Sequence, residues 1–239
     1  KPQTGCLHDY QLATGDLKTL EKADAFVING AGAAGQAITR LICSMGGHSI
    51  ILCDSKGAIY AGRPNGMNPY KDDIAKVTNP SHEKGHLADV IKGADVFIGV
   101  SAAGCVSKDM VRAMAKDPIV MAMANPVPEI LPDEAKAAGA RVVCTGRSDF
   151  PNQVNNLLAF PGIFRGALDV RAKEINEAMK IAAAKAIAAL IRDAERDEEH
   201  VIASPFDPRV APDVAAAVAK AARDTGVARV KNVTPEEVA

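Results

Sequence analysis

The stretch AFVINGAGAAGQAITRLICSMGGHSIILCD, residues 25–54, decides the fold. Its apolar start, 25–30, predicts a buried strand, and the helical spacing of apolar residues over 33–46 predicts a helix that follows directly. A second apolar run at 49–54 ends in an acid, Asp54. This order of strand, helix and strand, with near-continuously apolar strands, is typical of a parallel sheet that is covered on both faces.

The turn between the first strand and the helix, Gly30-Ala31-Gly32-Ala33-Ala34-Gly35, follows the pattern G-x-G-x-x-G. In this context the first glycine allows a tight turn, the second lets the backbone approach a pyrophosphate, and the third lets the helix pack close to the strand. The helix N-terminus offers unpaired N–H groups and a positive dipole end to that anion. Asp54 follows roughly 20 residues later, where a carboxylate accepts hydrogen bonds from a ribose diol. We therefore predict a dinucleotide site that includes Gly30, Gly32, Ala33, Ala34, Gly35 and Asp54; the alternative is a glycine-rich turn that binds nothing.

The alternation of strands and helices continues to residue 146, and only helices are predicted after it. Apolar runs predict three further strands, at 94–101, 118–126 and 141–146. One long helix is predicted over Lys173–Arg196, and another ends at Gly226. We predict an α/β fold, a Rossmann-type doubly wound parallel sheet with C-terminal helices. The predicted domains are a residual linker or added segment at 1–16, an NAD(P)-binding Rossmann domain at 17–170, and C-terminal helices that pack on it at 171–239.

Composition and charge argue against several classes of protein. The 239 residues, 48% hydrophobic and 24% charged, are typical of a globular protein with a sizeable core. The net charge of -1 gives no basic excess, so we predict neither a nucleic-acid partner nor a membrane partner. Five scattered cysteines without a C-x-x-C pair, and an N-terminus without a signal-peptide pattern, predict a cytoplasmic protein with reduced thiols.

Two later strands are followed by residues that we expect at the cofactor. Ser101 and Ala102 follow the third predicted strand, and Asn125 follows the fourth. Ligands of doubly wound sheets bind outside the carboxyl ends of the strands. We therefore predict that Ser101, Ala102 and Asn125 contact the cofactor. For Asn125, a turn-forming role before Pro126 is the alternative.

The amide-rich segment NQVNN, residues 152–156, follows the fifth predicted strand and therefore emerges at the same edge of the sheet. For Asn152 we predict a helix cap. For Asn155 and Asn156, one turn further on, we predict contacts with the substrate, because amides inside a helix need a partner.

The segment HEKGH, His82–His86, matches the zinc-protease pattern H-E-x-x-H. That pattern places both histidines on one face only within a continuous helix. Asn79 and Pro80 precede the segment and Gly85 interrupts it, so we predict a loop with two solvated histidines. We also expect the acidic clusters at 72–73 and 197–199 to be solvated helix surfaces.

Several longer blocks carry a specific resemblance: INGAGAAGQAI, DSKGAIYAGR, MNPYK, LADVIKGADVFIGVSAAG, MAMANPVPEI and TGRSDFPNQVNNLLAFPGIFRGALDVRA. Over about residues 17 to 195 the chain resembles the C-terminal, NAD-binding half of bacterial malic enzymes. The resemblance implies an oxidoreductase that oxidises malate by hydride transfer to NAD or NADP and then decarboxylates it, with a divalent metal, to pyruvate and CO₂. It also implies that Gly30–Gly35 cradle the pyrophosphate, that Asp54 holds the adenosine ribose, and that Asn125 and Asn155 reach the nicotinamide and the malate.

The reaction groups of the family belong to an N-terminal domain that this chain is not expected to contain. They are a general-base Lys, an acid Tyr, a substrate-binding Arg and metal-binding carboxylates. LHDYQ, residues 7–11, is similar to the metal-binding segment, but Tyr10 replaces an acid, so no metal role is assigned to Asp9. We therefore predict no catalytic residue and no metal ligand in this chain, and poor malate turnover by the chain alone. The complete enzyme is expected to use Mg²⁺ or Mn²⁺ and to form a cytoplasmic homodimer.

Some choices stay open at this point. Asp54 favours NAD, because a carboxylate repels a 2′-phosphate, but Lys56 and Arg63 lie nearby and weaken that preference, so NADP is the alternative. A non-catalytic dinucleotide-binding or regulatory module that lacks the reaction domain is the alternative function. Another two-domain dehydrogenase, of the amino-acid or methylene-tetrahydrofolate type, is a further one. The alanine-rich face of the long helix would pack on a missing domain or on a second subunit.

Overall fold

The computed structural model describes residues 25–230, which form two compact units, 25–151 and 152–230. The predicted segment at 1–16 and the segment at 7–11 lie outside the described residues. The division between the units, at Pro151–Asn152, falls before the domain boundary predicted at 170, which stays a prediction.

The first unit is a sheet of six strands. The strands are β1 (Phe26–Asn29), β2 (Ile50–Asp54), β3 (Gly57–Ala58), β4 (Val96–Gly99), β5 (Ile119–Ala122) and β6 (Val142–Thr145). They lie in the order β3-β2-β1-β4-β5-β6, and every pair is parallel except β2 with β3. The Rossmann-type fold and its five parallel strands are confirmed. The short antiparallel β3 was not predicted, because its two residues carry no apolar run.

Five helices connect these strands: α1 (Ala33–Ser44), α2 (Pro69–Ile74), α3 (Leu87–Val90), α4 (Lys108–Arg112) and α5 (Pro132–Ala137). The Ser107 side chain accepts a hydrogen bond from the Met110 N–H and caps α4. Pro132 occupies the first turn of α5, where its missing N–H costs nothing.

The core of the first unit covers both faces of the sheet. Val27, Phe97 and Val120 lie in register across β1, β4 and β5 and are at most 1% exposed on one face. Ile28 and Leu52 bury the other face. The same register brings the carboxyl ends of β2, β1, β4 and β5 to one edge, which we call the crest. Residues that directly follow these strands therefore lie along the crest.

The second unit is helical: α6 (Phe160–Asp169), α7 (Glu177–Ala189) and α8 (Val210–Asp224), with 3₁₀ turns at Asn156–Leu158 and Asp193–Glu195. Two glycines of α6 allow close packing on α8. A Cβ at Gly162 would lie 2.6 Å from the Val214 Cβ, and one at Gly166 would lie 2.3 Å from the Ala215 carbonyl oxygen. Among the helices of residues 25–230, none is both long and apolar enough to cross a lipid bilayer.

The prediction of one long helix over Lys173–Arg196 is wrong. The side chain of Asn176 accepts the Met179 N–H and starts α7 later, and the helix ends at Ala189. Two residues of its alanine-rich face, Ala182 and Ala186, pack against the core of the second unit itself, whereas Ala189 of the same face is exposed. Periodicity alone missed the two ends of α7, because the residues just outside each end also favour a helix.

Candidate dinucleotide site

The glycine turn after β1 has the geometry that a dinucleotide motif requires. Gly30 has φ +125°, and a Cβ there would lie 2.6 Å from the Val100 carbonyl oxygen. A Cβ at Gly35 would lie 1.8 Å from the Gly30 carbonyl oxygen, so α1 packs on the turn only without a side chain at this position. At Gly32 an added Cβ would meet no atom within 4 Å. The turn is therefore tightly packed on the protein side and open at its middle glycine, as the approach of a pyrophosphate demands.

The N-terminus of α1 is available to an anion. The helix begins at Ala33, its N-cap residue Gly32 provides no side-chain cap, and no acid lies in its first turn. Its first N–H groups have no partner within the helix, and the helix dipole adds a partial positive charge. The Gln36 side-chain amide donates to the Ala31 carbonyl at 3.0 Å and holds the turn in place. This end of α1 therefore fits a phosphate group.

A cavity of about 700 Å³ adjoins the turn in the first unit. Five of the predicted site residues line it: Gly30, Gly32, Asp54, Ser101 and Ala102. Its lining also includes residues that were not among the predicted site residues: Asn29, Ala31, Ser55, Lys71, His86, Leu87, Ala88, Cys105 and Met110. The predicted Ala33, Ala34 and Gly35 form the first turn of α1 beside it. Asn125 follows β5 on the crest and is exposed, but it is not part of this lining.

The carboxylate of Asp54 is surrounded by donors. Arg63 donates to both oxygens, from Nη1 to Oδ1 at 2.9 Å and from Nη2 to Oδ2 at 2.6 Å. The Lys71 ammonium donates to Oδ2 at 2.6 Å, and the Lys56 N–H donates to Oδ1 at 2.8 Å. A carboxylate has about four acceptor positions, so these four donors saturate it. A ribose hydroxyl reaches Asp54 only if one donor gives way.

Lys71 is the donor that gives way most readily. Its side chain is 18% exposed and donates to one backbone carbonyl, that of Gly66. The Arg63 side chain is 6% exposed and donates to three, those of Gly57, Ala58 and Gly66. No sequence pattern linked Lys71 to Asp54. The two residues meet because the chain returns to the crest at the start of α2.

The electrostatics of the cluster follow from these contacts. Burial by itself would raise the pKa of Asp54, but hydrogen bonds from Arg63 and Lys71 outweigh it and hold that pKa well below its usual range. The hydrogen bond to Asp54 likewise raises the pKa of Arg63. Asp54 and Arg63 are therefore charged at neutral pH. Counted by formal charge, the cluster of Asp54, Arg63 and Lys71 carries one more positive than negative charge.

Acid is expected to destabilise the protein through Asp54. A carboxyl whose pKa is lowered by folding stabilises the protein fully above its unfolded pKa of about 3.9, and that contribution disappears as the pH falls toward the folded value. We expect the free energy of unfolding to decrease below about pH 5 more steeply in the wild type than in Asp54→Asn. Urea denaturation of both proteins between pH 6 and pH 2 measures the difference, and parallel curves would contradict the assignment.

The amide side chains of the 152–156 segment lie in the second unit, and their contacts differ from one residue to the next. The prediction that Asn152 caps a helix is wrong. Its side chain instead donates to the Glu198 carbonyl at 2.8 Å and accepts the Val201 N–H at 2.9 Å. Asn155 accepts the Leu157 N–H at 3.0 Å and so caps the first 3₁₀ turn, while Asn156 is exposed. Sequence missed the Asn152 contacts because they join residues far apart in the chain.

The HEKGH segment is a loop, as predicted. Both histidines are exposed, and His86 precedes α3 as its N-cap. Across residues 25–230, no group of three or more His, Cys, Asp or Glu side chains is arranged to hold a metal ion. The described residues therefore do not fit a metal site, and none of them is assigned as a ligand.

The fold and the glycine turn define a Rossmann-type dinucleotide-binding domain. The family model of the malic enzyme NAD-binding domain matches residues 12–223, and the chain belongs to the malic enzyme family. It is 66% identical over 213 residues to a bifunctional malic/malolactic enzyme of Bacillus subtilis, and 54% identical over 207 residues to an NAD-dependent malic enzyme of Geobacillus stearothermophilus. These matches cover 89% and 87% of this chain but only 52% and 43% of the relatives.

Solved structures agree with this assignment. A crystal structure of malic enzyme from Pyrococcus horikoshii superposes with a TM-score of 0.87 at 41% identity, covering 98% of this chain and 55% of the other. The chain thus spans about half the length of the proteins that it matches.

Proposed function

We propose that this chain binds NAD(H) or NADP(H) as the nucleotide-binding part of an enzyme that oxidises malate and decarboxylates it to pyruvate and CO₂. The observation that carries the proposal is the open Gly30–Gly35 turn, which faces a cavity with Asp54 at the end of the next strand. The bound cofactor supplies the nicotinamide ring that accepts hydride. The N-terminus of α1 binds the pyrophosphate, and Ser101, Ala102 and Asn125 lie on the nicotinamide side of the crest.

The charge at the adenosine end supports the use of both cofactors. The preference for NAD that we predicted depends on an unshielded carboxylate at Asp54. In the structure Arg63 and Lys71 surround that carboxylate and leave a net positive charge beside the cavity. Such a cluster attracts a 2′-phosphate. Relatives of the chain include NADP-dependent malic enzymes as well as NAD-dependent ones.

Lys71→Met is expected to weaken the binding of NADP⁺ more than the binding of NAD⁺. The ammonium is the accessible cation of the cluster, and loss of one charge-assisted hydrogen bond to phosphate lowers affinity about tenfold or more. NAD⁺ affinity should change less than about threefold, because only the 2′-phosphate needs that charge. Calorimetric titration of both cofactors measures the ratio. Lys76→Met, an exposed lysine beside Asp73, is the matched control, and equal losses for both cofactors would contradict the assignment.

The substrate contacts predicted for Asn125, Asn155 and Asn156 belong to this proposal. The side-chain oxygen of Asn155 already accepts the Leu157 N–H, so its amide N–H₂ is the group that it offers to a malate oxygen. Asn125 and Asn156 are exposed and offer both ends of their amides.

The groups that carry out the reaction itself are expected in a further domain, outside this chain. We propose that an N-terminal domain, corresponding to the half of the relatives outside the match, supplies the base, the acid and the ligands of Mg²⁺ or Mn²⁺. An exposed apolar stripe on α6 supports such a partner: Phe160, Phe164 and Leu168 are 61%, 45% and 70% exposed. The homodimer and the cytoplasmic location are part of the proposal. The free thiols of Cys43, Cys53, Cys105 and Cys144 agree with a reducing compartment.

Two experiments test the proposed function. Calorimetric titration of the 239-residue chain with NAD⁺ and NADP⁺ is expected to show binding, and an assay with malate and Mn²⁺ is expected to show little or no turnover. Full turnover by this chain would show that the catalytic groups lie within it, against the proposal.

The second experiment replaces the matching half of the Bacillus subtilis relative with this chain. Turnover of malate by that chimera supports an enzyme, whereas binding without turnover favours a regulatory module; its sedimentation mass tests the homodimer.

A further inference from the structure

Glu129 is a completely buried carboxylate that joins two loops of the crest. It is 0% exposed. Its Oε1 accepts the Ser101 N–H at 2.9 Å, just after β4, and its Oε2 accepts the Ala124 N–H at 2.9 Å, just after β5. Its backbone carbonyl also accepts the Val106 N–H at 3.0 Å. One residue therefore sets the distance between the two loops that follow neighbouring strands.

The surroundings of Glu129 are shaped to admit its carboxylate. Gly99, the last residue of β4, has no side chain, and a Cβ there would lie 2.4 Å from the Glu129 Cδ. Burying a charged group costs more free energy than burying an apolar one unless hydrogen bonds compensate. An apolar side chain would fill this space more cheaply, so the benefit of a carboxylate lies in the two N–H groups that it fixes.

Those two N–H groups belong to the part of the crest that faces the nicotinamide. Asp54 ends β2, the glycine turn follows β1, and β4 and β5 lie on the far side of β1 from β2. An extended dinucleotide with its pyrophosphate at the turn and its adenosine at β2 places its other half over β4 and β5. Ser101 lines the cavity, and its hydroxyl accepts a hydrogen bond from the Asn29 side chain at 2.8 Å. Ala124 directly precedes Asn125.

We infer that Glu129 is a positioning residue for the nicotinamide half of the cofactor, because it holds the loops after β4 and β5 at the spacing which that half requires. The inference rests on the proposed function, since it needs a dinucleotide in the cavity. Glu129 itself is buried beneath the loops and acts through Ser101 and Ala124.

Glu129→Gln tests the inference with two ligands. Gln keeps the size of the side chain but has one acceptor oxygen and one N–H₂ group, so one of the two backbone N–H groups faces a donor. We expect NAD⁺ to bind about tenfold more weakly, while ADP-ribose, which lacks the nicotinamide, changes less than about twofold. Glu134→Gln, an exposed carboxylate paired with Lys108, is the matched control and should change neither affinity.

The outcomes separate the inference from the proposed function. Equal weakening of NAD⁺ and ADP-ribose would show that Glu129 only supports the fold, and unchanged NAD⁺ affinity would also overturn its role. If Glu129→Gln does not fold, Gly99→Ala tests the same contact from the other side, because its Cβ displaces the carboxylate. Should the wild type bind neither ligand, the proposed function fails. The positioning role then fails with it, and amide hydrogen exchange at Ser101 and Ala124 in Glu129→Gln tests the loop contacts separately: unchanged protection would show that Glu129 does not hold the two loops.

Discussion

Gly32→Asp is expected to make the protein more stable while it abolishes cofactor binding. Gly32 is the N-cap of α1, with φ -75° and ψ -172°, a backbone conformation that any L-residue adopts. Gly32 itself has no side chain to accept a hydrogen bond from the first N–H groups of the helix. Asp is among the best N-cap residues and is worth roughly a few tenths of a kcal/mol more than Gly there, with about 0.3–1 kcal/mol more from the helix dipole. The same carboxylate would occupy the space that the structure leaves open in front of the helix. Repulsion of the pyrophosphate should lower NAD⁺ affinity at least about 100-fold.

Thermal denaturation and calorimetric titration of the same samples measure the two opposite effects. Gly32→Asn is the matched control, because it has the size and the capping oxygen of Asp without the charge. It should also raise Tm but lose much less affinity. If Gly32→Asp bound NAD⁺ within about tenfold of the wild type, the N-terminus of α1 would not be the pyrophosphate site.

The second large effect is expected for Arg63→Met. The Arg63 and Asp54 side chains are 6% and 9% exposed, and Arg63 also donates to the carbonyls of Gly57, Ala58 and Gly66. Removing one partner of a buried ion pair typically costs about 3–5 kcal/mol, because the other charge stays buried without it. We therefore expect the free energy of unfolding to fall by about that amount, since Lys71 compensates only part of the Asp54 charge.

Urea denaturation at neutral pH measures this loss. Arg40→Met is the control, because the Arg40–Asp73 pair is exposed and should contribute less than about 1 kcal/mol. Adding Asp54→Asn to Arg63→Met should restore part of the stability, since the buried carboxylate that lost Arg63 is then removed and only the more exposed Lys71 remains without an ion-pair partner. Equal losses for Arg63→Met and Arg40→Met would show that burial does not strengthen the Asp54 pair.

Local patterns were sufficient for the five parallel strands and for the glycine turn. The roles of Gly30, Gly32 and Gly35 depend on backbone geometry within one turn, which the order of neighbouring residues specifies. The five parallel strands were recognisable because both faces of each are buried, so their sequences are continuously apolar. The long helix was wrong because both the helix and its flanks contain good helix formers.

The amide-rich segment shows the limit of the same reasoning. Asn152 was expected to cap a helix, but it bonds residues 198–201 across the second unit. No prediction was made for Glu129, which is completely buried although a carboxylate in a connecting loop is ordinarily solvated. Both positions look like surface polar residues in the sequence.

By itself, the sequence determined the parallel sheet, the glycine turn and the acid at the end of β2, because each depends on residues close together in the chain. Only the tertiary structure decided that Arg63 and Lys71 saturate Asp54, and that Glu129 joins the loops after β4 and β5. Those contacts depend on how separate strands and loops meet at the crest. Their strength comes from burial, which no local pattern of residues encodes.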